Sequence, residues 1–258
     1  MLLVLDVSNR QTAVALFDAD RSGPWWISTD PNRTADEVGL LLETLLRHRG
    51  VDPTRLRGAV LGSVVPALTR TVSQACARYL GLEPLVVGPG VRTGVRVRTD
   101  NPREVGPDRI ANALAAFRRY GGPAVVVDFS STTTFDAVSA EGDYLGSAIA
   151  PGLDMASGAL AQRAAQLREV ELLRPERVIG RNTVAAIQSG LVFGFAALVD
   201  GIAERMKAEL GGGRVIATGP DVGPVQSEAR SIDVVDPMLT LDGLRLIWEL
   251  NAGEGSSR

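Results

Sequence analysis

Two stretches of the chain are built on one plan, and that repetition limits the fold more than any other feature. The first runs "LLVLDVSNRQTAVALF" from Leu2, the second "AVVVDFSSTTTFDAV" from Ala124. Each passes from aliphatic residues into an aspartate, Asp6 or Asp128, and through a small polar turn, Ser8-Asn9-Arg10-Gln11 or Ser130-Ser131-Thr132-Thr133. A second strand, a further turn ("DADRSG", "SAEGD") and a third strand follow in both. Self-similarity on this scale predicts an α/β fold of two lobes of one design. The expected division is 1–120 and 121–251, close to Gly121, with 252–258 ("AGEGSSR") as a flexible tail.

Hydrophobic periodicity fills in the lobes. Strands are expected over Leu2–Asp6, Thr12–Asp18, Trp25–Thr29, Ala59–Val65, Leu85–Val87 and Val95–Thr99, with helices over Ala35–Arg49, Leu68–Leu80 and Asp108–Arg119. Thr34 and Glu37 have the spacing of a capping box, and Val38, Leu41, Leu42 and Leu45 form the apolar stripe behind it. The second lobe adds helices near Asp154–Leu167 and Thr183–Leu210, a strand at Arg214–Ala217 and a helix at Leu241–Leu250. Asn182 to Val199 carries no charge, but Asn182, Thr183, Gln188 and Ser189 dilute it and Asp200 follows, so a buried core helix is expected.

The rest of the composition narrows the chemistry. At 258 residues with 45% hydrophobic and 22% charged content, the chain has the makeup of a soluble globular protein. A net charge of −3 offers no basic face, so small molecules rather than nucleic acids are the expected partners. "MLLVLD" has neither the basic start nor the long apolar run of a signal peptide, and no membrane partner and a cytoplasmic location are expected. The single cysteine, Cys76, excludes an internal disulfide and sits where a helix would bury it. The single histidine, His48, falls at a helix end, which excludes His-rich metal sites and argues against a Ser-His-Asp triad. Chemistry is left to carboxylates, arginines, hydroxyls and backbone amides.

An ionised carboxylate closing an apolar strand is costly to desolvate unless something cationic meets it. A lone Asp6 is explained by capping of its own turn. The repeat opens a second explanation, in which facing lobes place Asp6 and Asp128 on the walls of one cleft. Hydroxyl- and amide-rich turns then supply donors for phosphate oxygens, and the carboxylates suit a hard cation such as Mg²⁺. Other nucleotide signatures fail. "GPGVRTG" misplaces its third glycine and leads into "VRVRTDNP" rather than a helix, and a Walker A loop needs a Gly-Lys pair where Lys207 is the sole lysine.

"DVSNRQ" at Asp6–Gln11, "NPREVGPDR" at Asn101–Arg109, "DFSSTTT" at Asp128–Thr134, "GSAIAPG" at Gly146–Gly152, "NTVAAIQSG" at Asn182–Gly190, "ATGPD" at Ala217–Asp221 and "LTLDGL" at Leu239–Leu244 occur in a characteristic order. With these motifs the chain resembles the type III pantothenate kinases along nearly its whole length. The resemblance implies the duplicated actin-like (ribonuclease H-like) fold, a homodimer, and ATP-dependent phosphorylation of pantothenate, the first committed step of coenzyme A synthesis, with Mg²⁺ and a monovalent cation (K⁺ or NH₄⁺). It further implies that Asp6 and Asn9 form the first phosphate turn and Asp6 helps hold Mg²⁺, while Asp128 and Ser131 form the second turn near the monovalent cation. Asp108 would be the catalytic carboxylate, Gly106, Arg109 and Thr183 would meet pantothenate, and Gly219 would lie near the adenine. Apart from the resemblance, Asp108 in "PDR" also suits the first turn of a helix.

The chain departs from the family pattern where members usually have "DVGNTN", "GADR", "DFGTATT" and "TGG". Here stand Ser8, Arg10, Gln11, Pro107, Ser130, Ser131, Thr132 and Pro220. Ser8 and Ser130 are expected to crowd the phosphate turns with Cβ atoms, and Pro220 removes an N–H from the adenine loop. Two functions therefore stand side by side: an active kinase, supported by Asp6, Asp108, Arg109 and Asp128, and a kinase-fold binding or regulatory protein, supported by the lost glycines.

Overall fold

A computed structural model describes residues 1–18, 21–163 and 170–252. The chain forms two five-stranded sheets of identical topology. The first contains β1 (Leu2–Val7), β2 (Gln11–Phe17), β3 (Arg21–Ser28), β4 (Gly58–Ser63) and β5 (Leu85–Val86) in the order β3-β2-β1-β4-β5. The second contains β6 (Ala124–Phe129), β7 (Thr132–Val138), β8 (Tyr144–Pro151), β9 (Arg214–Thr218) and β10 (Val234–Val235) in the order β8-β7-β6-β9-β10. In each, the strand that ends in the aspartate is central, antiparallel to its hairpin partner on one side and parallel to a later strand on the other. Register repeats as well: Asp6 lies opposite Ala13 and Gly62, Asp128 opposite Thr134 and Thr218. A central strand must be apolar on both faces, and every residue of β1 and β6 is buried.

Helix α1 (Ala35–His48) begins with the expected capping box: Glu37 N donates to Thr34 Oγ1 at 3.3 Å and Thr34 N to Glu37 Oε2 at 2.8 Å. Its core face differs from expectation. Val38, Leu42 and Leu46 are buried and Leu45 packs beside them, whereas Leu41 is 38% exposed. Steps of four residues keep one helical row against the sheet, and Leu41 falls off that row. Helix α2 (Pro66–Ala75) runs into a single π-helical stretch, Cys76–Leu80, ended by Gly81. Burial pushes the Cys76 thiol up to about 12, which makes it unreactive.

Val95–Thr99, expected as a strand, forms only one parallel bridge, Val97 to Tyr144, held by Arg98 N to Tyr144 O and Tyr144 N to Arg96 O, both at 2.8 Å. Gly94 before it and the Asp100-Asn101-Pro102 turn after it leave too little chain for a ladder. Helices α3 (Pro107–Tyr120), α4 (Leu153–Arg163), α5 (Thr183–Leu210), α6 (Gly223–Gln226) and α7 (Leu239–Ala252) complete the chain. The continuation of α4 toward Leu167 and the tail beyond Ala252 lie outside the described residues. Helix α5 has the length and apolarity of a membrane span. Its Ile187, Leu191, Phe195, Val199 and Ala203 nevertheless share one core with Val125 and Val127 of β6.

By proximity the chain gathers into two compact units: 1–94, 101–115 and the segment from Met238, and 95–100 with 116–237. Helix α7 thus belongs with the first sheet, where Arg21 of β3 holds its buried Asp242 at 2.7 Å. The α1 packing gives a direct test. Leu42→Ala should cost about 2–5 kcal/mol of unfolding free energy through cavity formation, and Leu41→Ala no more than about 0.5 kcal/mol, read from urea midpoints.

Candidate functional site

In the first unit β1 delivers Asp6 to the strand end with only 8% exposure. The following turn closes through Ser8 N to Gln11 O at 3.2 Å, and Ser8 Oγ donates to Asp6 Oδ2 at 3.4 Å. Val64 N bonds Val7 O at 3.0 Å, which ties the chain after β4 to the same place. There a Cβ added at Gly106 would stand 3.4 Å from Val64 Cγ1 and would overlap Asp108 Oδ1. The loop before α3 therefore needs a glycine at 106 to seat Asp108, and it brings that carboxylate toward the strand ends that carry Asp6.

Asp108 lies in the first turn of α3. Its Oδ1 is buried and accepts no hydrogen bond among the described residues. Desolvation pushes its pKa above the usual carboxylate range, opposed in part by the backbone N–H and the guanidinium of Arg109 and by its own backbone N–H. A carboxylate with a spare lone pair and raised basicity is fitted to accept a proton.

The second unit repeats the plan. Asp128 closes β6, again 8% exposed, and Ser130 N and Oγ both reach Thr132 O, at 3.0 and 3.3 Å. Gly219 follows β9 at φ +97°, where a Cβ would overlap Phe129 O and stand 2.7 Å from Asp128 Oδ1. Asp221 N bonds Phe129 O at 3.1 Å and folds this loop back onto β6. Ser131 stands in the turn itself. Thr183 is elsewhere in the unit, exposed at the start of α5 behind the N-cap Asn182, whose Oδ1 accepts from Ala185 N at 2.9 Å.

The first unit thus holds Asp6, Asn9, Gly106, Asp108 and Arg109, and the second holds Asp128, Ser131, Thr183 and Gly219. Sequence reasoning passed over Gly152, where a Cβ would overlap Ser130 O and Ser131 O, although the "GSAIAPG" motif contains it. It also passed over the Ser8 bond to Asp6. Among the described residues no non-glycine has positive φ, so Ser8 and Ser130 occupy ordinary backbone conformations and strain neither turn.

No group of three or more His, Cys, Asp or Glu side chains suited to a metal occurs among the described residues. The hard anionic oxygens of Asp6 and Asp128 nevertheless fit Mg²⁺, which takes one or two carboxylates and completes its shell with water and substrate phosphate.

A family model described as type III pantothenate kinase matches residues 2–205. The type III pantothenate kinase of Moorella thermoacetica is 50% identical over 97% of this chain and 100% of its own length. That of Acidothermus cellulolyticus is 52% identical over 98% of this chain and 100% of its own. The chain belongs to the type III pantothenate kinase family. The ROK hexokinase of Thermus thermophilus covers 97% of this chain and 99% of its own with a TM-score of 0.52 at 14% identity, a likeness of fold alone. The architecture is the duplicated actin-like one, in which each lobe is a mixed sheet with helices.

Because Gly219 has a left-handed backbone and Ser130 does not, substitutions there should differ in size. Gly219→Ala should lower stability by about 1–3 kcal/mol. Ser130→Gly should change it by no more than about 1 kcal/mol, through the entropy of the unfolded chain. Thermal unfolding of the two variants measures both.

Proposed function

We propose that this chain transfers the γ-phosphoryl group of ATP to pantothenate, giving ADP and 4′-phosphopantothenate, the first step of coenzyme A biosynthesis. The observation that carries the proposal is Asp108: a half-buried carboxylate with an unbonded oxygen and a raised pKa, seated by Gly106 toward the strand ends that hold Asp6. Membership of the kinase family over nearly the full length supports the same reaction.

In this account Asp108 accepts the proton of the primary hydroxyl of pantothenate as that oxygen bonds to the γ-phosphorus and the bond to the β-phosphate oxygen breaks. Arg109, Gly106 and Thr183 bind the acceptor. Asn9 and Ser131 offer donors to the phosphates, and Gly219 lies near the adenine. Asp6 and Asp128 would hold the cations, Asp6 for Mg²⁺ and Asp128 near K⁺ or NH₄⁺. Bound Mg²⁺ supplies charge neutralisation on the phosphates, and phosphoryl transfer depends chiefly on such neutralisation and on positioning. A homodimer in the cytoplasm completes the proposal. Exposed Leu145, Ile149 and Met155 supply apolar surface for a second copy.

A regulatory protein without catalysis was favoured only by the lost glycines. The ordinary φ values of Ser8 and Ser130 remove the backbone strain from that argument. Pro220 lacks an N–H, but the loop it belongs to is still anchored through Asp221.

Incubation of the purified protein with ATP, Mg²⁺, K⁺ and pantothenate should yield phosphopantothenate by mass detection. Asp108→Asn should lower kcat by about 10²–10⁴-fold, the contribution of a positioned base. Because the carboxylate must be ionised to accept a proton and its pKa is raised, kcat/KM of the wild type should fall with decreasing pH at values above the ordinary aspartate pKa of about 3.9. That limb should vanish in Asp108→Asn.

The stability sign is opposite to that of a salt-bridged aspartate. A raised folded-state pKa means that charging Asp108 costs stability as pH rises through the unfolded and then the folded pKa. At pH 7 Asp108→Asn should therefore be at least as stable as wild type. A large loss of stability together with unchanged turnover would refute the assignment. Asp6→Asn should instead raise the Mg²⁺ concentration needed for half-maximal activity, read from a magnesium titration.

A further inference from the structure

The two hairpins that carry the strand-end aspartates differ by one residue. Val7 lies opposite Thr12 and encloses Ser8-Asn9-Arg10-Gln11, whereas Phe129 lies opposite Thr133 and encloses Ser130-Ser131-Thr132. The longer turn closes through Ser8 N to Gln11 O at 3.2 Å, the shorter through Ser130 N to Thr132 O at 3.0 Å. In the shorter turn that same carbonyl also accepts from Ser130 Oγ at 3.3 Å. In the longer one the Ser8 hydroxyl donates instead to Asp6 Oδ2 at 3.4 Å. Equivalent serines thus serve different partners, the backbone in the second unit and the strand-end carboxylate in the first.

The two oxygens of Asp6 face different neighbours. Oδ2 takes the Ser8 hydroxyl, and Oδ1 lies 3.6 Å from the point where a Cβ on Gly62 of β4 would stand. Rotation of a carboxylate about its last side-chain bond is soft, so a donor on one oxygen fixes the plane of the group. At 3.4 Å the contact is longer than the usual O–H···O bond of about 2.7–2.8 Å, which makes it a light restraint. Family members usually have glycine at this position, as in "DVGNTN", and glycine has no hydroxyl to give. The restraint on Asp6 therefore separates this chain from the usual pattern.

We infer that Ser8 is a positioning residue whose hydroxyl sets the plane of the Asp6 carboxylate for Mg²⁺. The inference rests on the proposed reading of Asp6 as a Mg²⁺ ligand. Mg²⁺ demands near-ideal octahedral geometry, so a ligand that must first be ordered binds it less tightly. A partner that hydrogen-bonds a ligating carboxylate orders it in advance. An ionised carboxylate has room for about four donors, so one hydroxyl on Oδ2 leaves lone pairs for an ion. Ser8 acts through Asp6 and needs no contact of its own with the ion or with phosphate. Its backbone permits this, because Ser8 keeps an ordinary negative φ while its hydroxyl reaches Asp6.

The test is calorimetric binding of ADP, once with Mg²⁺ and once in EDTA, to wild type and to Ser8→Ala, Ser8→Gly, Ser8→Thr, Ser130→Ala and Asp6→Asn, with melting temperatures to confirm folding. Ser8→Ala keeps the Cβ and loses the hydroxyl, whereas Ser8→Gly loses both, so the pair separates hydrogen bonding from crowding. Both should weaken ADP binding in Mg²⁺ by about two- to tenfold, the scale of one net hydrogen bond, and leave binding in EDTA unchanged. Ser8→Thr keeps a hydroxyl, and Ser130→Ala removes one that serves a backbone carbonyl, so both should match wild type in both conditions. Wild-type affinity in Ser8→Ala, equal losses with and without Mg²⁺, or tighter binding in Ser8→Gly overturns the inference. So does a loss in Ser8→Thr or Ser130→Ala as large as that in Ser8→Ala. If Asp6→Asn lowers the affinity in Mg²⁺ and Ser8→Ala does not, the role of Ser8 fails alone. If Asp6→Asn leaves that affinity unchanged, the Mg²⁺ reading of Asp6 fails and the inference fails with it.

Discussion

The structure depends on a carboxylate held at the end of a fully buried central strand, and it repeats that device once in each unit. Burying Asp6 or Asp128 beside apolar neighbours is unfavourable taken alone. It recurs at the same register in two sheets of identical topology, opposite Gly62 in one and Thr218 in the other. Small residues at these partner positions keep bulk away from the carboxylates. A core optimised for stability alone would place an aliphatic residue at the strand end. Retention of the acid in both copies is a local conflict of the kind that functional sites carry.

Around that device, backbone geometry rather than side-chain identity decides which substitutions the site tolerates. The family pattern has glycine where this chain has Ser8 and Ser130, yet both serines keep negative φ and their hydroxyls join the local hydrogen bonding, to Asp6 Oδ2 and Thr132 O. Gly106, Gly152 and Gly219 are in a different position, because each faces atoms that a Cβ would strike. Loss of glycine leaves no backbone strain where the turn is ordinary and is damaging where another chain segment lies within reach.

This distinction also explains what the sequence made legible. The repeat, both aspartates, the capping box of α1 and the long α5 follow from local periodicity and turn chemistry, and the structure contains all of them. The Val95–Thr99 segment misled because its alternation of valine with arginine has the period of a strand, while strand formation needs a partner along its whole length and only Tyr144 is offered. Leu41 misled because i and i+3 spacing fits a helical face as well as i and i+4 until packing selects one row. The burial of Asp108 has no local signature. The residue that seats it, Gly106, lies against Val64, which is distant in sequence. The allegiance of α7 to the first sheet likewise rests on contacts such as Arg21 to Asp242, made across most of the chain.

Asp6 and Asp108 take different parts in the proposed reaction, and their surroundings differ. Asp6 lies at a strand end in a turn where the Ser8 hydroxyl donates to its Oδ2. Asp108 stands at the start of a helix, where the N-terminal dipole and the Arg109 charge favour ionisation, yet desolvation outweighs them and its pKa rises. The net result is a group more basic than an exposed aspartate. In the proposed transfer a stronger base takes the hydroxyl proton more readily, and the Arg109 charge opposes the rise in pKa. In the proposed reaction, removal of Arg109 would therefore act through two routes at once, loss of its proposed contact to the acceptor and a further rise in the basicity of Asp108. Only the second route would move the acid limb of the pH profile upward.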